Sequence, residues 1–208
     1  MRGIVYLGIG ILAGLLAAST GAQAAADISI FAYPPGDPSS EGRPLASAIP
    51  RETIDYSGPY SPGSILINTK ERRLYFVLPG HQAIKYGVGV GRPGFEWSGV
   101  RHIANKREWP DWTPPPQMLK RRPDLPRHME GGIDNPLGAR AMYIAGTIYR
   151  IHGSNEPDTI GEAVSSGCIR MTNEDVIDLY ERAKVGASVV VLRGSMSAAL
   201  EPTPDGLY

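Results

Sequence analysis

A single cysteine, Cys168, is all that the 208-residue sequence carries. With no partner in its own chain it forms no internal disulfide, so burial and not cross-linking must hold the fold. An excess of charge of either sign is missing too. The 21 Lys and Arg are matched by 21 Asp and Glu, which removes the global electrostatic footprint of a nucleic-acid binder. His81, His102, His128 and His152 are scattered, and with one cysteine they match no metal-ligand spacing, so neither a metal nor an organic cofactor is expected. Internal repeats are absent, and clear helical periodicity is confined to one segment. What remains is a chain that is 42% hydrophobic with 25 Gly and 19 Pro. That is enough apolar material for a packed core, in a composition that favours short strands joined by turns.

The one long apolar run lies at the N-terminus. Arg2 provides a positive start, residues 4–18 are apolar apart from glycine, and Ala22-Gln23-Ala24 offers small residues where a signal peptidase inspects them. Residues 1–24 therefore read as a secretory signal, with cleavage after Ala24 or Ala26. The rival is an uncleaved anchor, but the run falls short of the ~20 residues that span a bilayer. Export to an oxidising compartment changes the meaning of the lone thiol. It is a buried inert residue, an intermolecular link, or a reactive group kept for chemistry.

Residues 25–62 are rich in Pro, Gly, Ser and Ala and read as a linker, with a possible short strand over 28–33. A folded domain is expected over 63–193 and a loose tail over 194–208. Strands are predicted at 64–68 and 73–77 around a polar turn, at 84–90, at 141–145 and 147–152 around Gly146, and at 188–192. One helix is predicted over 173–184, with Thr172 as N-cap, Val176, Ile177, Tyr180 and Ala183 on one face, and Gly186 closing it. Residues 91–132 read as a long irregular loop, and such loops are usually functional. Between positions 101 and 127 this loop has seven basic residues against three acidic ones. That is either a solvated surface or a rim that attracts an anionic substrate. Many strands and one sizeable helix make a mainly β, sandwich or barrel-like domain, with the main helix after Cys168.

The chemistry concentrates in Ile151-His152-Gly153-Ser154 and Ser165-Ser166-Gly167-Cys168-Ile169-Arg170-Met171. A free thiol with a pKa of ~8.5 is mostly protonated at neutral pH. An imidazole brought within reach can take that proton and later return it to a leaving amine. Gly167 allows a sharp turn that aims backbone N–H groups at a developing oxyanion. Arg170 adds a permanent cation, which favours thiolate or holds a substrate carboxylate, although pairing with Glu174 or Asp175 is the plainer alternative. Trp109 and Trp112 are candidates for substrate contact or for anchoring the long loop.

The His152-Gly153 pair followed by Ser166-Gly167-Cys168-Ile169-Arg170 resembles the signature of the L,D-transpeptidase catalytic domain, also called the YkuD domain. The resemblance spans about residues 63–193. It takes in the opening hairpin, Tyr86-Gly87-Val88-Gly89-Val90-Gly91, Asp134-Asn135-Pro136-Leu137-Gly138, and the Trp109-Pro110-Asp111-Trp112-Thr113-Pro114-Pro115 run in the large loop. It implies a β-sandwich domain acting on peptidoglycan stem peptides. The matching cysteine attacks the carbonyl before the terminal D-Ala, D-Ala leaves, and the thioester passes to the side-chain amine of another stem. By position Cys168 is the nucleophile, His152 the acid and base, Gly167 and Cys168 the sources of oxyanion-hole N–H groups, and Arg170 a supporting cation. Two positions depart from the common pattern. Ser166 stands where many members have His, and Gly153 has no side chain to orient His152, so a backbone carbonyl must do so. Water as acceptor would make the chain an L,D-carboxypeptidase, and a protein amine would make it a tether for an envelope protein. A wall-binding module without activity is the reading from another class.

Overall fold

The computed structural model describes residues 49–194. The expected signal, the strand at 28–33 and all of the expected tail except Gly194 lie outside the described residues. Of the described strands, β1 (Glu52–Asp55), β2 (Ile65–Asn68), β3 (Arg73–Leu78) and β4 (Gln82–Gly87) come first. The last three form an antiparallel meander, and β1 pairs with the outer edge of β4. The strand expected over 84–90 is therefore divided. β4 stops at Gly87, and β5 (Val90–Gly91) leaves the main sheet to pair with a later segment. β1 falls inside the stretch that reads as linker, where Thr53 and Ile54 offer little of an apolar face.

The larger departure is β6 (Gly99–Glu108), ten residues long and inside the stretch expected to be irregular. Its sequence hides it, because Ile103 is its only buried residue. The strand is held by backbone ladders on both sides and not by an apolar face. Residues 99–102 pair with β11 (Ser188–Leu192), and Ile103 to Glu108 pair with β7 (Arg140–Ile144). A register shift between Ile103 and Asn105 marks the change of partner. Such an irregularity bends and twists a strand, and here it carries the sheet from one half to the other.

The remaining strands are β8 (Arg150–His152), β9 (Ala163–Ser165) and β10 (Ile169–Arg170). The full order in the nine-stranded sheet is β1-β4-β3-β2-β11-β6-β7-β8-β10, with β5 and β9 as a separate parallel pair. β8 starts at Arg150 and not at Thr147, since Thr147 closes a turn: its hydroxyl donates to the Ile144 carbonyl and accepts from Tyr149 N–H. Two α-helices are described, α1 (Pro116–Arg121) in the long segment and α2 (Asn173–Arg182) after β10. In α2, Thr172 caps the N-terminus by accepting from Asp175 N–H, as expected from the sequence.

The curled sheet closes over one main core. Ile65, Ile67, Leu74 and Phe76 come from its first half, Ile103, Met142, Ile144, Ile151 and Ile169 from its second, and Val176 and Leu179 from α2. Side chains alternate across a strand, so Leu66, Tyr75, Val77 and Val190 point to the other face, where Tyr56 and Ala83 join them. β2, β3 and β11 are thus covered on both faces, which explains the unbroken apolar runs of β2 and β11. The result is the mainly β, curled-sheet domain with a main helix after Cys168 that the pattern implied.

Candidate active site

Two short strands with matching patterns build the site. β8 reads Arg150-Ile151-His152, and the chain entering β10 reads Cys168-Ile169-Arg170. They run parallel, with Ile169 opposite Ile151 and Arg170 opposite His152. Both isoleucines are buried in the main core. The period of two then places Arg150, His152, Cys168 and Arg170 together on the other face. Cys168 is level with Arg150, one step from His152. The loop of residues 153–167 connects the two strands and brings them side by side.

His152 is buried, and its Nδ1 lies 2.6 Å from the Gly153 carbonyl oxygen. A carbonyl only accepts, so Nδ1 carries the proton and Nε2 keeps its lone pair. The orienting carbonyl that the sequence could not locate is that of the adjacent residue. Burial, followed by the charge of Arg170 and against the pull of the Gly153 carbonyl, drives the imidazole pKa down to about 3. At neutral pH the ring is an uncharged base. Cys168 is a free, half-buried thiol. Burial pushes its pKa up, while the neighbouring Arg150 backbone N–H and guanidinium, and the charge of Arg170, act the other way. At rest both groups are therefore uncharged at neutral pH.

A set of contacts that sequence reasoning missed shapes the turn before Cys168. Ser165 Oγ donates to the Cys168 carbonyl at 2.6 Å and accepts from Gly167 N–H at 3.1 Å. This corrects one expectation, because the Gly167 N–H is already engaged and is not open to an oxyanion. Gly167 is needed for a different reason. Its φ is 108°, and a Cβ there would lie 2.3 Å from Tyr149 Cε1. Tyr149 stacks on Trp97 at 5.2 Å between ring centroids, and Trp97 Nε1 donates to the Gly167 carbonyl at 2.8 Å. The hydroxyl of Ser166, the variant position, accepts from Arg92 Nη1 at 3.2 Å. The Arg92 guanidinium lies 4.3 Å from the Phe95 ring centre, and that of Arg121 in α1 lies 5.3 Å from it. The long segment is thereby latched to the motif. The aromatic clamp left no local signal in the sequence.

Behind the histidine, Gly153 donates to the Arg140 carbonyl at 3.0 Å. A Cβ on Gly153 would meet Asn173 Oδ1 at 2.3 Å, and that oxygen accepts from Ala139 N–H at 2.9 Å. Arg170 Nη2 donates to Ser154 Oγ and to Glu156 Oε2, both at 2.7 Å. It pairs with Glu156, not with Glu174 or Asp175, and braces the loop that follows His152. Trp109 packs against Ala139 and Ile177, and its backbone N–H donates to the Ala139 carbonyl at 2.8 Å. Trp112 bridges Met129 through the backbone. Both tryptophans fasten the long segment. Among the described residues, no group of three or more His, Cys, Asp or Glu is arranged to hold a metal.

A thiol, an uncharged imidazole with one nitrogen tied off, and a glycine turn at the edge of a curled sheet have the parts of a cysteine–histidine acyl-transfer centre. The sequence pattern of the L,D-transpeptidase catalytic domain, YkuD, matches residues 62–191, and the chain belongs to that family. It is 37% identical over 145 residues to the Escherichia coli protein named probable L,D-transpeptidase ErfK/SrfK, covering 66% of this chain and 46% of that protein. Probable L,D-transpeptidase YcfS of Escherichia coli is 33% identical over 164 residues, covering 74% of this chain and 51% of that protein. The chain thus spans about half the length of the curated relatives it matches. Among solved structures, a cysteine-to-serine mutant of the Enterococcus faecium L,D-transpeptidase superposes with a TM-score of 0.51 at 19% identity, covering 64% of this chain and 50% of that one. That likeness speaks for the fold.

Proposed function

We propose that this chain is a peptidoglycan L,D-transpeptidase of the cell envelope, with Cys168 as nucleophile and His152 as its acid and base. The observation that carries the reading is the parallel pairing of β8 with β10, Arg170 opposite His152, together with an imidazole whose Nδ1 is tied to the Gly153 carbonyl. Family membership and relatives named as L,D-transpeptidases support the substrate class. His152 Nε2 takes the thiol proton as sulfur attacks the carbonyl before the terminal D-Ala of a stem peptide. The Cys168 N–H is the remaining backbone donor for the oxyanion, since Ser165 holds that of Gly167. The imidazolium gives its proton to the departing D-Ala amine, leaving a thioester on Cys168. A side-chain amine of a second stem then attacks, its proton passes through His152 back to sulfur, and a cross-link between stems forms.

Arg170 acts at one remove. Through Ser154 and Glu156 it fixes the loop that carries the Gly153 carbonyl, and so the orientation of the base. Trp109 and Trp112 hold the wall of the long segment against which a stem peptide would lie. The N-terminal signal pattern supports export, and the Escherichia coli relatives support a Gram-negative periplasm. An envelope-protein amine or water as acceptor would use the same thioester. Incubating the protein with a disaccharide-tetrapeptide and weighing the products separates these outcomes. Cross-linked dimers lacking one D-Ala are expected. Tripeptide alone would mark an L,D-carboxypeptidase, and unchanged tetrapeptide would contradict the proposal.

A further inference from the structure

One cation on the face that carries Cys168 has no part in the steps above. Arg150 begins β8, and the parallel ladder that pairs Ile151 with Ile169 sets it level with Cys168. The side chain is fixed from two directions: Nη1 donates to the Ile148 carbonyl at 3.2 Å, and the guanidinium lies 5.2 Å from the Tyr143 ring centre. Its Nε is buried with no acceptor among the described residues. An interior donor left unpaired is destabilising. Such an orphan points to an acceptor, or to negative charge, that arises only during function.

The contrast with the other cations around the thiol is sharp. Arg170 on β10 is ion-paired with the Glu156 carboxylate and also donates from Nη2 to Ser154 Oγ. Arg92 reaches the motif through Ser166 Oγ and spends the rest of its guanidinium on Phe95. His152 on β8 is uncharged at rest. Arg150 alone among these charged and titratable groups combines a place beside the sulfur with a buried unused N–H and no carboxylate partner among the described ion pairs.

Resting on the reading of Cys168 as nucleophile, we infer that Arg150 is a further catalytic residue, whose guanidinium holds the negative charge on sulfur. It acts when His152 takes the S–H proton and the electron pair moves into the new C–S bond. It acts again when the thioester C–S bond breaks, the pair returns to sulfur, and His152 hands back the proton. A cation there also explains how a half-buried thiol is used without a preformed ion pair: burial raises the thiol pKa, and the Arg150 charge acts against that rise.

The test is the pH profile of Cys168 alkylation by iodoacetamide in the full chain, which needs no peptidoglycan chemistry. Arg150→Gln is expected to raise the midpoint by about one unit, so that alkylation below it slows about tenfold. Arg150→Lys, which keeps the charge, is expected to recover most of that loss. An unmoved midpoint in a Gln variant that melts like wild type would overturn the inference. So would a Lys variant no better than Gln. If Arg150→Gln fails to fold, the wild type still decides through iodoacetate. Relative to free cysteine, the anionic reagent should be favoured over iodoacetamide at Cys168, and no preference would overturn the inference. A chain that alkylates as expected yet leaves tetrapeptide unchanged would sink the proposed reaction and not the role of Arg150 at the sulfur.

Discussion

The two halves of the curled sheet are built on different terms. In the first half, β3, β2 and β11 are covered on both faces, with Leu66, Tyr75, Val77 and Val190 packed on one side and Ile65, Ile67, Leu74 and Phe76 on the other. From β7 to β10 only one face is apolar. Ile151 and Ile169 enter the core, while Arg150, His152, Cys168 and Arg170 share the face that the core leaves free. The first half spends every side chain on stability. The second spends every other one on chemistry, and relies on backbone ladders and on Ser165, Asn173 and Trp97 to keep its geometry. Substitutions in the two halves should therefore fail differently, one in folding and the other in reactivity.

The largest expected effect is in the scaffold half. Leu66 is fully buried, and Leu66→Ala should cost about 2–5 kcal/mol of stability in denaturant unfolding. The acylation rate of the molecules still folded should hardly change. A comparable loss of rate would erase the division between halves. In the site half, Gly167→Ala puts a Cβ into the Tyr149 ring at a φ of 108°. Displacing the nucleophile by a fraction of an ångström to one ångström should slow acylation on the order of 100-fold, measured on protein whose circular dichroism is unchanged.

A smaller effect comes from pH. His152 is held down to about 3 from an ordinary 6.5, so between those values the unfolded chain binds a proton that the folded site refuses. The contribution of His152 is complete above about 6.5 and is lost as pH falls toward about 3. The slope from this one group is at most about 1.4 kcal/mol per pH unit. His152→Gln should flatten the acid limb of the stability curve relative to wild type, and an identical limb would show that the imidazole is not held neutral.

The same division explains what the sequence made legible. β2, β3, β7 and β11 carry apolar runs because the core demands them, and α2 carries a cap and a periodic face. The His152 and Cys168 motifs stand out because both come with glycines whose side-chain-free positions are enforced, Gly153 by Asn173 and Gly167 by Tyr149. β6 was not legible, since nine of its ten residues are not buried and its hydrogen bonds reach strands more than 30 residues away in the chain. Trp97, Tyr149 and Arg92 act on Gly167 and Ser166 from distant segments, and no local pattern encodes such a meeting. Arg150 was overlooked for a subtler reason. Reading the chain as His152 plus Cys168 misses that Arg-Ile-His and Cys-Ile-Arg are two parallel rungs with a cation opposite each reactive group.

The central claim is that Cys168 is an activated nucleophile served by His152. Its most direct test is intact-protein mass after incubation with a carbapenem, wild type beside Cys168→Ala and His152→Ala. The account predicts a single acyl adduct on wild type, none on Cys168→Ala, and a much slower one on His152→Ala. An adduct that persists without Cys168, or no adduct on a wild-type chain with its thiol confirmed reduced, would contradict it.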